Sequence, residues 1–158
     1  YSKKIQMVVI ILHNLDSIWR ISRSGEVLWR LGGEHSDFED ESFGTDLFRN
    51  QHQFDVVDES IFVFDNGTVE EAASRVVEYA LDSEEGSTGL AWFYEPEPEK
   101  FCYVLGDIDV LSNGNRQITW STAGVIEELN HNDEIVWQVR SDLGGAFGYS
   151  SRVEALHD

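Results

Sequence analysis

Ser17-Ile18-Trp19-Arg20-Ile21-Ser22-Arg23-Ser24-Gly25-Glu26-Val27-Leu28-Trp29-Arg30-Leu31 reads as a strand, a polar turn and a second strand carrying a tryptophan. Val125-Ile126-Glu127-Glu128-Leu129-Asn130-His131-Asn132-Asp133-Glu134-Ile135-Val136-Trp137-Gln138-Val139 repeats that plan without a gap, since 11 positions separate Ile18 from Trp29 and Ile126 from Trp137. A third copy, Arg75–Asp82 followed by Leu90–Tyr94, fits once its turn is lengthened by Ser83–Gly89. Two further strand pairs lie between these hairpins: Gln53–Val57 with Ser60–Phe64, and Asp107–Leu111 with Arg116–Trp120. Short β-branched and aromatic runs broken by Gly, Asn, Asp and Ser mark an all-β chain. Thr68–Arg75 is the one stretch with helical character, and it is read as a loop after the Asp65-Asn66-Gly67 turn.

Four strands per unit, with Trp92 and Trp137 45 positions apart, match the period of about 40–50 residues of a β-propeller blade. The expected organisation is one partial propeller domain over 1–158. Its blade-like repeats fall at about 5–33, 51–97 and 104–142, and an acidic loop at 34–50 absorbs the longer spacing from Trp29 to Trp92. Closed propellers have about 4–8 blades, so some three blades are expected to form part of a larger ring. A free-standing antiparallel sandwich is the competing architecture. Trp29, Trp92 and Trp137 are expected to pack between blades, Cys102 to be a small buried residue, and Glu95–Glu99 to be an extended, solvated connection.

The 158 residues carry 11 Lys+Arg against 30 Asp+Glu, a formal charge of −19. That charge repels phosphate backbones and anionic lipid, so neither nucleic acid nor a membrane is an expected partner. At 41% hydrophobic residues the chain has material for a core. One cysteine excludes an internal disulfide and a Cys-based zinc centre. The longest apolar run, Met7–Leu12, is far shorter than the roughly 20 residues of a membrane-spanning helix. The chain starts at Tyr1 and shows no signal-peptide layout, from which a processed product or a fragment is expected.

Taken in order, Trp29-Arg30-Leu31-Gly32-Gly33 with Ser36-Asp37-Phe38, Gln51-His52-Gln53-Phe54, Phe64-Asp65-Asn66-Gly67, Ser74-Arg75 and Leu111-Ser112-Asn113-Gly114-Asn115 resemble the landmarks of the arylsulfotransferase family. The resemblance spans about residues 14–156 and rests on order and spacing. It implies a six-bladed ring that moves sulfate from an aryl sulfate ester to a phenol without a nucleotide donor, and so without a cofactor. It implies a histidine that is transiently sulfated at the centre of one face, with other His and Arg side chains around the sulfuryl group, and a periplasmic or secreted setting. On this resemblance His52 matches a central histidine and Arg75 the arginine after the Asp-Asn-Gly turn, and these are the candidate catalytic residues. Asn66, Arg49 and Trp120 are the candidate substrate contacts. A nucleophilic histidine is expected near Trp120-Ser121-Thr122-Ala123-Gly124, where the chain has none; His131 is nearest and falls in a hairpin turn.

Sulfuryl transfer requires cationic or N–H donors around several charged oxygens and a nucleophile that is unprotonated near neutral pH. Arg49, His52 and Arg75 supply those types. Arg75 has the alternative of pairing with Glu70 or Glu78, and Asp65-Asn66-Gly67 that of a simple turn with positive φ at Gly67. His13, His35, His131 and His157 read as surface or turn histidines without metal-ligand spacing, and Asp37, Glu39, Asp40 and Glu41 as a solvated loop, so no metal is expected. The rival function is a non-catalytic propeller that binds a small molecule or protein. Open blade edges are expected to self-associate.

Overall fold

The computed structural model describes residues 7–44, 46–144 and 146–153. Its strands are β1 (Met7–Leu12), β2 (Ser17–Ser22), β3 (Val27–Leu31), β4 (Glu39–Asp40), β5 (Phe54–Val57), β6 (Ser60–Asp65), β7 (Arg75–Asp82), β8 (Ser87–Tyr94), β9 (Asp107–Val110), β10 (Arg116–Trp120), β11 (Val125–Leu129) and β12 (Ile135–Arg140). A 3-10 turn, His13–Leu15, is the one helical element among the described residues. Three sheets result, ordered β1-β2-β3, β4-β8-β7-β6-β5 and β12-β11-β10-β9. All pairings are antiparallel except β4 with β8. Each long hairpin has a register break at the same place in its plan, at Arg20/Ile21, Glu78/Tyr79 and Glu128/Leu129. The architecture is all-β, built of β-propeller blades.

The run Ile61-Phe62-Val63-Phe64 explains the stacking. Side chains alternate across a strand, so Ile61 and Val63, with Val77 and Tyr79 of β7, enter one core with Ile18, Leu31, Phe38, Leu47 and Phe48. Phe62 and Phe64, with Val76, enter a second core with Cys102, Ile108, Ile118, Trp120, Val125 and Leu129. A sheet buried on both faces needs such an unbroken apolar run. The inner strands β5 and β9 lie side by side, joined where the Val110 amide donates to Asp55 (2.9 Å).

Three expectations are corrected here. The 34–50 stretch is not simply a solvated loop, because Phe38, Leu47 and Phe48 plug the first core and Asp40 accepts amide bonds from Ser42, Phe43 and Leu90. Within Glu95–Glu99, Pro96 is buried. Trp137 is 47% exposed on β12, all of whose residues are exposed, because no described element covers that strand. Trp29 instead packs edge-on to Phe38, and Trp92 stacks on Tyr94 beneath the Arg116 guanidinium.

The second core also encloses an ion pair. Glu127, 1% exposed, accepts from the Trp120 indole N–H (2.7 Å), from Gln138 (2.7 Å) and from Lys100 (3.2 Å), whose ammonium lies over the Trp120 ring. Lys100→Met leaves that carboxylate uncompensated, and we expect a loss of about 3–5 kcal/mol in urea unfolding. On β9, burial first, then the neighbouring charges of Asp109 and Asp55, push Asp107 up to about 6. Between its ordinary value near 4 and about 6 the native state therefore holds a proton the unfolded chain has released. Stability falls as pH rises through that window, and Asp107→Asn is expected to flatten this slope in urea midpoints taken from pH 4 to 7.

Candidate functional site

The strand order brings one end of every sheet to a common face. There lie the β1–β2 turn (13–16), the approach to β5 (49–53), the β6–β7 loop (66–74) and the β8–β9 connection (95–106). The β10–β11 turn joins them through Ser121 and Thr122, whose hydroxyls donate to the Val104 and Phe101 carbonyls.

His52 enters this face on the last residues before β5, its amide bonded to the Phe64 carbonyl. Its Nδ1 lies 2.9 Å from Asn66 Oδ1 and 3.2 Å from the Asn50 carbonyl. The ring of His13, from the β1–β2 turn, sits beside it with centroids 4.7 Å apart and planes tilted by 57°. His13 Nδ1 lies 3.1 Å from the Gln51 carbonyl. A carbonyl oxygen can only accept, so the Nδ1 of each ring is the donor and, in the neutral imidazole, Nε2 keeps its lone pair.

The chain holds the His13 turn tightly. Asp16 adopts φ 47° and accepts the Asn50 amide, while Asn50, at φ 52°, donates its side-chain amide to the Gly67 carbonyl. Gly32 and Gly33, both at positive φ, lie against the same turn. A Cβ on Gly33 would stand 2.3 Å from the Leu15 carbonyl oxygen, and one on Gly32 2.7 Å from that of Asp16. The Gly-Gly pair after β3 is therefore the seat of His13.

Arg75 and Arg49 share a separate cleft of about 320 Å³ with Phe43, Asp46, Asp65 and Glu71, among others; His52 is not in its lining. Asp65 and Asn66 are consecutive and their side chains diverge, Asp65 to Arg75 and Asn66 to His52. Arg75 donates to Asp65 (2.9 Å) and reaches Glu95 (4.0 Å), not Glu70 or Glu78. Arg49 pairs with Asp46 and Glu71. Burial lifts the Asp65 carboxyl above the usual carboxylate range, against the pull of the Arg49 amide, Arg75 and the Gly67 amide. Burial also opposes the charge on Arg75, but the Asp65 carboxylate more than offsets it and raises the guanidinium above its ordinary value. The Arg49 hydrogen bond holds Asp46 low, and the Thr68 amide does the same for Glu71. Both guanidiniums thus already have carboxylate partners.

Two expected substrate contacts lie inside the fold. Trp120 is wholly buried in the second core with its N–H spent on Glu127, so it lines no aryl pocket. Asn66 is 1% exposed and uses both amide hydrogens within the fold, on the Cys102 and Leu105 carbonyls, so it faces no solvent. His35 and His131 are exposed turn residues, whereas His157 lies outside the described residues. His13 is the residue that sequence reasoning set aside. The spacing that aligns Ile18 with Ile126 also aligns His13 with Ser121, inside the very turn where a histidine was sought. Among the described residues no three His, Cys, Asp or Glu side chains gather as a metal site.

The family model for arylsulfotransferase (ASST) matches residues 4–142, and the chain belongs to that family. Among solved structures it is similar to apo AztD from Citrobacter koseri, with a TM-score of 0.51 and 14% identity over 92% of this chain. At that identity the likeness speaks for the fold. The chain spans about a third of that protein, 34% of its length. No curated protein matches the sequence.

Gly33→Ala should push the Leu15 carbonyl, and with it His13, away from His52. The expected result is a loss of about 1–3 kcal/mol in thermal or urea unfolding together with disappearance of ring-to-ring nuclear Overhauser contacts between the two histidines.

Proposed function

We propose that the paired histidines form the sulfuryl-transfer site of an arylsulfotransferase. The observation that carries this reading is that both rings are partly buried, fixed through Nδ1 and set side by side with centroids 4.7 Å apart, so that Nε2 of each neutral ring is the unprotonated nitrogen. His52 Nε2 attacks the sulfur of an aryl sulfate, an N–S bond forms and the S–O(aryl) bond breaks, and the phenolate leaves. His13, alongside with its Nε2 unprotonated, takes the proton of the incoming phenol and passes it on to that phenolate. The acceptor oxygen then attacks sulfur, and His52 is released. Splitting the transfer in two lets a weakly nucleophilic phenol meet an activated sulfuryl group, and no cofactor enters the balance.

In this reading Arg75 and Arg49 support the loop that carries Asn66 rather than clamp the sulfuryl oxygens, since their charges are already matched. The three sheets supply part of a six-bladed ring, and remaining sulfuryl contacts come from elsewhere around its axis. The exposed apolar residues of β12 suit packing against a further blade or another copy.

One observation favours the second reading, a binding module without catalysis. The arginines nearest the histidines are neutralised, so little positive charge faces a sulfate in a chain of net charge −19.

Turnover of an aryl sulfate with a phenol acceptor decides between them. His13→Ala should lower kcat by about 100- to 10,000-fold, the usual range for losing a proton-transfer group, and His52→Ala should abolish both turnover and any sulfated histidine trapped by mass spectrometry. Unchanged turnover in both variants refutes this assignment of the site. A folded, complete ring that transfers nothing across donors and acceptors favours the binding module.

A further inference from the structure

We infer that Asn66 is a positioning residue that holds His52 in one tautomer and aims its Nε2 outward. This rests on reading His52 as the nucleophile of the proposed transfer.

A side-chain amide can be turned either way round, and its orientation decides what it asks of a partner. Here the surroundings leave no choice. The two amide hydrogens of Asn66 point at backbone carbonyls, of Cys102 at 2.6 Å and of Leu105 at 2.8 Å. Reversing the amide would set its oxygen against both. Oδ1 is therefore fixed toward His52 Nδ1 at 2.9 Å, and an oxygen there requires an N–H from the ring.

The backbone around the amide is strained in a way that serves the same contact. Leu105 takes φ 61°, a region in which a residue with a bulky side chain is an outlier, and it is Leu105 whose carbonyl receives one amide hydrogen. Gly106 follows at φ 112°, where a Cβ would lie 2.2 Å from the Phe64 ring. The Asn66 carbonyl and the Cys102 amide are tied through the Ser74 hydroxyl, which donates to the first and accepts from the second. Asn66 thus transmits the position of the connection into the third sheet to a ring on the approach to β5. His13 lacks this arrangement, because its Nδ1 partner is the Gln51 backbone.

The test uses the full chain labelled with 15N. Long-range proton–nitrogen spectra of the neutral rings should show Nδ1 of His52 protonated and Nε2 bare in the wild type. Asn66→Leu removes the nearer of two acceptors, leaving the Asn50 carbonyl at 3.2 Å, and should weaken this single-tautomer signature. Acylation of His52 by diethyl pyrocarbonate, mapped by mass spectrometry, should slow about tenfold in that variant, while His13 in the same molecule reacts at its wild-type rate. A wild-type His52 with its proton on Nε2 overturns the inference even if Asn66→Leu does not fold. So does an unchanged His52 rate, or equal slowing of both histidines. Where this chain shows the expected tautomer and rates but the complete ring transfers no sulfate, the transferase is refuted and the positioning role stands. Transfer by a chain with the opposite tautomer does the reverse.

Discussion

The middle sheet must be apolar on both faces, and the rest of the molecule follows from that constraint. Ile61 and Val63 look one way and Phe62 and Phe64 the other, so β6 can be dry only if a sheet stands on each side of it. Burying an aliphatic or aromatic side chain contributes about 1.5–3 kcal/mol, and the two cores share these strands. The stack in turn fixes which loops meet at its end. The histidine pair therefore depends on side chains that never approach it, and its geometry is set by packing rather than by loop preference.

The strand plan was legible because alternation and turn residues are local signals. The hairpin Ser17–Leu31 and its partner Val125–Val139 could be aligned by eye, and the arylsulfotransferase resemblance followed from the order of short motifs. What was not legible is what each side chain finds across the stack. Trp120 stood in sequence as a candidate substrate contact, and nothing there joined it to Glu127 or Lys100, yet the three meet in the second core. Arg75 had Glu70 or Glu78 as its alternative partners in sequence, and the one it takes, Asp65, lies ten residues away across the β6–β7 register. His52 was readable from its motif. His13 was not, because its meaning comes from a contact with residue 52 and from the glycine seat after β3.

Charge adds a second layer. With 30 acidic residues against 11 basic ones, most cations in this chain are claimed by carboxylates. Arg30 pairs with Asp37, Arg116 reaches Glu78 and Asp133, and Arg152 pairs with Glu128. Exposed pairs of this kind contribute little to stability.

His13 lies in the β1–β2 turn and His52 on the approach to β5, and the first two sheets are held in register by their shared core and by bonds from Asn50 and Gln51 to the His13 turn and β2. Local opening of β1–β3 would part the rings while the second core, with its buried Lys100–Glu127 pair, stays folded. The imidazole pair is thus a gauge of one seam. A chain can keep most of its cooperative structure, and look folded by bulk measures, with its two imidazoles already parted.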